Sequence, residues 1–126
     1  MRTLLTATIA ILVFDLTTIA EPTNNQQLAG VWLRQEADMR CTNTVAADGS
    51  FIELSWFSHS DRTNTYRRTG TWLIKDGRLI EKITSSTNPT EVTPHQNAAQ
   101  IIHSDASEFV VRWQNSVETI WQRVVH

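Results

Sequence analysis

The sequence predicts an all-β protein, an eight-stranded antiparallel up-and-down barrel, and three observations carry that expectation. Along the stretch before Asp76, Tyr66, Arg68, Gly70, Trp72 and Ile74 fall on one side and Arg67, Thr69, Thr71, Leu73 and Lys75 on the other. That is a period of two, the mark of a strand with two different faces. Asp76-Gly77 follows, and a type I′ turn needs positive φ at both central residues, which Asp-Gly tolerates best. Nowhere do apolar residues keep the i, i+3, i+4 spacing over a helical length. The middle of the chain is therefore a long hairpin.

The other elements follow in order. Arg2 and the apolar run Leu4–Phe14 precede Thr18-Ile19-Ala20, so residues 1–20 read as a signal peptide. An apolar run this short does not span a bilayer, so no membrane anchor is expected after cleavage. Residues 21–27 are polar and contain Pro22, a flexible lead-in to a barrel domain over 28–126. Leu28–Gln35 is the first strand, Glu36–Arg40 a polar connection and Thr42–Ala47 a weak second strand. Asp48-Gly49 is a second turn signal. Ser50–Ser58 is the third strand, with Ile52, Leu54 and Trp56 expected on the inner face. The central hairpin supplies strands four and five. Ser85–Pro94 carries two prolines and no periodicity, hence a loop. Ala98–His103, Glu108–Trp113 and Val117–Val125 complete the set, with Phe109, Val111 and Trp113 on one face. A meander of this length removes its two edges by closing on itself.

With 126 residues and a net charge of −2, the chain is one small domain without the basic footprint of a nucleic-acid binder. Cys41 is the single cysteine, so no disulfide can form within the chain. It reads as a small buried hydrophobe, with an intermolecular bridge as the alternative.

Chemistry is hard to find. Ser58-His59-Ser60-Asp61 has the letters of a hydrolase triad, but sequence neighbours cannot converge as a triad must. His95, His103 and His126 lack metal-ligand spacing, and no phosphate loop exists. Glu53, Glu81 and Glu118 alternate with apolar residues and read as solvent-facing. The expectation is no catalytic residue, no metal and no cofactor.

Gly30-Val31-Trp32 resembles the G-x-W of the lipocalins and their smaller calycin relatives, and Trp121-Gln122-Arg123 is similar to their C-terminal aromatic and arginine. In that family the arginine lies over the first-strand tryptophan and closes one barrel end. The resemblance thus implies Gly30, Trp32 and Arg123 as a structural closure. Tyr66–Leu79 resembles the central hairpin of short lipocalin-like domains in exported bacterial proteins. Leu28–Trp32 followed by Cys41 also resembles small periplasmic barrels that inhibit secreted metalloproteases, which carry a disulfide and an inserting N-terminal arm. Here the second cysteine is missing, although Glu21–Gln27 could serve as an arm.

An eight-stranded barrel either fills with side chains or holds one small ligand. Arg68 shares the inner face with Tyr66, Gly70 and Trp72, so it lies at the rim, meets a carboxylate or meets an anionic ligand. These readings make an exported, periplasmic or secreted binding protein. A small apolar or amphipathic ligand would lie among Trp56, Tyr66, Arg68, Trp72 and Trp113. The runner-up is a protein-binding module such as a protease inhibitor, and a third reading is a structural role in the cell envelope.

Overall fold

The computed structural model describes residues 25–59 and 62–125. The expected signal peptide, most of the lead-in, Ser60, Asp61 and His126 lie outside them. After a 3-10 turn (Asn25–Leu28) come β1 (Gly30–Glu36), β2 (Met39–Val45), β3 (Ser50–His59) and β4 (Arg62–Lys75). They are followed by β5 (Arg78–Ser86), β6 (His95–Ser104), β7 (Glu108–Trp113) and β8 (Glu118–Arg123). The eight strands form a closed antiparallel barrel in sequence order. The first connection is shorter than expected because β2 begins at Met39, and β6 starts earlier, at His95.

The turns account for this regularity. Asp76 and Gly77 have φ of 53° and 71°, the left-handed pair of a two-residue hairpin. That turn sets Lys75 opposite Arg78, Ile74 opposite Leu79 and Trp72 opposite Glu81. At the β2–β3 turn Gly49 takes φ of 90°, and the Asp48 carboxylate accepts from the Ser50 backbone N–H. Between β6 and β7 the Asp105 carboxylate accepts from the backbone N–H groups of Ser107 and Glu108.

One barrel end is closed by the residues that the resemblance singled out. Leu28 tucks under the barrel at 1% exposure, and the Trp32 indole N–H donates to its carbonyl at 2.8 Å. The Arg123 guanidinium lies 4.3 Å from the Trp32 ring centroid. It also donates to the carbonyls of Gln27, Ala29 and Ala106 at 2.8, 2.7 and 2.8 Å. Gly30 has φ of 136°, a conformation that favours glycine, and a Cβ there would come within 2.5 Å of Arg123 Nη1, so a side chain would also displace the guanidinium. Among the described residues the β1–β8 ladder registers Trp32 with Arg123 and Leu33 with Gln122. Arg123→Ala should therefore cost about 1.5–3 kcal/mol, the worth of a charged hydrogen bond, because water can reach part of what it leaves. In urea melts, a double-mutant cycle with Trp32→Phe should show coupling of about 0.5–2 kcal/mol, and additive effects would rule the pairing out.

Above this closure sits the aromatic core. Trp72, at 1% exposure, meets the rings of Phe51, Phe109 and Trp121 at centroid distances of 5.8, 6.0 and 5.7 Å. The expected inward row of β4 holds, and so does that of β7, where Phe109 and Val111 are fully buried.

The phase of β3 is the opposite of the one expected. Phe51, Glu53 and Ser55 are buried, whereas Ile52 is 44% exposed and Leu54 and Trp56 lie on the outer face with it. A one-residue slip exchanges every side chain between faces. β3 runs to His59 and β4 begins at Arg62, which places Glu53 directly opposite Arg68. Glu53 and Glu81 are thus interior, each 5% exposed, and of the three glutamates read as solvent-facing only Glu118 is.

Candidate functional site

The barrel end away from Trp32 is open. Turns after β1, β5 and β7 surround it, and a cleft of about 380 Å³ enters between the Gln114-Asn115 turn and the inner faces of β4 and β5. Its walls include Arg34, Glu53, Arg68, Glu81, Trp113 and Trp121. An adjoining cleft of about 270 Å³ shares Arg34, Glu53 and Arg68 and runs under Phe57, Tyr66 and Glu91. A larger hollow of about 710 Å³ lies near Asp76, Arg78 and Arg112, all of them exposed charges.

Arg68 organises the mouth. It stands on the inward row of β4, where burial would expel an unpaired charge. It is paired: Nη1 donates to Glu53 at 3.2 Å, while Nε and Nη2 grip Glu91 at 3.1 and 2.7 Å. Burial works against its charge, but Glu53, Glu81 and Glu91 together outweigh that and raise its pKa above the ordinary value. Of the three fates open to Arg68, the structure shows the carboxylate. Glu91 comes from the β5–β6 loop and also meets His95 Nε2 at 2.8 Å. Burial pushes Glu91 up, but hydrogen bonds from Ser86, His95 and Arg68 outweigh it and hold its carboxyl low.

Deeper in, the Asn43 amide donates to the second oxygen of Glu53 at 3.3 Å. The Trp72 indole N–H donates to Glu81 Oε2 at 2.9 Å. Burial, and then the nearby charge of Glu53, raise the pKa of Glu81 in spite of that bond. The sign matters for stability. The folded state holds the Glu81 proton more tightly than the unfolded chain, so stability falls as pH rises from the ordinary carboxylate range through the raised value. Glu81→Gln should match the wild type in acid and become the more stable of the two toward neutral pH. A difference in urea midpoint that stays constant with pH would contradict this.

The other expected residues divide. Trp113 lines the larger cleft, its indole N–H donating to Thr119 Oγ1 at 2.8 Å, and Tyr66 lines the smaller one, 5.8 Å from the Phe57 ring centroid. Trp72 lies below them in the packed core. Trp56 lies on the outer face of β3, away from both clefts. Cys41 is buried at 2% exposure in the wall of the smaller cleft, and burial, with Glu53 beside it, pushes its thiol up to about 12. That matches the small-hydrophobe reading of this cysteine.

Sequence reasoning missed Arg34, Glu53, Glu81, Glu91 and Trp121 as site residues. Arg34 reaches over the Trp121 ring, 5.9 Å from its centroid, and pairs with Glu36 at 3.2 Å. Among the described residues no group of three or more His, Cys, Asp or Glu could hold a metal ion. No protein-family model matches the chain, and no curated protein is significantly similar to it.

Proposed function

We propose that this is an exported, lipocalin-like binding protein that holds a small apolar or amphipathic ligand in the open end of its barrel and catalyses nothing. The observation that carries the reading is the cleft of about 380 Å³ in the open barrel end, where Trp113 and Trp121 stand among charged and amide side chains. Small-molecule sites are concave and set apolar and aromatic surface beside placed polar groups. The stacking of Arg123 on Trp32 beside Gly30 supports the lipocalin resemblance, since it gives those residues the closing role they have in that family. The signal-peptide reading of residues 1–20 supports a periplasmic or secreted setting.

The test is a titration with N-phenyl-1-naphthylamine, an apolar probe that is uncharged at neutral pH and brightens in dry surroundings. Its emission should rise saturably at one probe per chain while tryptophan emission falls, and Trp113→Ala should weaken both changes. An unsaturable response, or one that Trp113→Ala leaves untouched, would remove the ligand reading. The protein-partner reading, with the lead-in as an arm, would then lead.

A further inference from the structure

The charges inside the mouth do not balance, and the imbalance has a sign. Among the described residues, Arg68 is the one guanidinium in contact with the interior carboxylates, and its bonds go to Glu53 and Glu91. Arg34 also lines this cleft, over the Trp121 ring, and its ion pair is with Glu36 rather than with Glu53 or Glu81. Glu81 is left with an indole N–H on one oxygen and no cation in contact, at 5% exposure. Such a carboxylate is costly while ionised unless a positive charge meets it.

One further atom bears on the occupant. Trp121 is 2% exposed in the wall of the same cleft, and among the described residues its indole N–H has no acceptor. Buried polar groups are nearly always satisfied, so this donor asks for an acceptor atom on the occupant's body or a bridging water.

Resting on the binding reading above, we propose that the ligand of this cleft is cationic: a protonated amine or amidinium on an apolar, ring-bearing body. The charge sits at Glu81, within the field of Glu53, and the body lies against Trp113 and Trp121. Indole faces favour a cation over an anion, which adds to the preference. An anionic ligand in this cleft would face Glu53 and Glu81, while the Arg68 and Arg34 guanidinium groups are already paired with carboxylates.

The test compares three probes of one shape, 2-phenylethylamine, 2-phenylethanol and phenylacetate, each displacing N-phenyl-1-naphthylamine from the full chain at neutral pH. The amine should bind at least about tenfold more tightly than the alcohol, the loss expected when a charged hydrogen bond is missing, with the acid weakest. Glu81→Gln should erase the amine's advantage and leave the alcohol within about twofold of its wild-type affinity. If the alcohol or the acid equals the amine, or if none of the three displaces a naphthylamine that does bind, the cation is wrong and the cavity reading survives. If the naphthylamine itself fails to bind, both fall. The wild-type series decides the charge class even if E81Q does not fold.

Discussion

Gly70→Ala should destabilise the barrel by about 3 kcal/mol or more, the upper end of what overpacking a core costs. Gly70 is on the inward row of β4, where the β4–β5 ladder shifts register between Thr69 and Gly70. A Cβ at this position would lie 1.8 Å from the Lys82 carbonyl oxygen and 2.9 Å from its carbon. Both are backbone atoms of the neighbouring strand, so no rotamer change relieves the clash and the strands themselves must part. Urea unfolding should show the midpoint falling with little change in slope. A loss below about 1 kcal/mol would mean that the bulge relaxes freely, and the close approach would carry no weight.

Trp72→Ala should cost about 3–5 kcal/mol, as large aromatic deletions do. The indole touches three other rings and holds Glu81 through its N–H. Trp72→Phe separates the two roles. It keeps most of the ring packing and leaves Glu81 Oε2 without its donor, a penalty of about 1–3 kcal/mol. That penalty should shrink in acid, where Glu81 is protonated, while the alanine penalty should persist. Equal pH dependence in the two variants would show that the hydrogen bond contributes nothing separable from packing.

The barrel was legible because its signals are local. Alternation along β4 and two Asp-Gly turns need no knowledge of distant contacts, and the G-x-W and arginine pair marked the closed end. The cleft was less legible, although part of it was within reach. Asp76-Gly77 as a two-residue turn places Glu81 across from Trp72, and the alternation along β4 turns Trp72 inward. The register therefore puts Glu81 inside, against the general tendency of glutamate to face solvent. Glu53 was lost differently. Both faces of β3 carry apolar side chains, so hydrophobicity cannot choose its phase, and only the Glu53–Arg68 pairing across β4 does. Glu91 comes from a loop with no periodicity, and nothing before the fold brings it to Arg68.

The seam between β1 and β8 is the narrow point of the barrel. Every other ladder has five or more registered pairs and joins strands that are neighbours in sequence, whereas this one has two and joins the first strand to the last. Arg123, which secures it, reaches back 94 and 96 positions to Ala29 and Gln27. Without that seam the chain would be a curled sheet with two unpaired edges and an uncovered row of indoles, a state in which β-proteins find the wrong partner. The arginine therefore works as a latch on the two edges of the sheet.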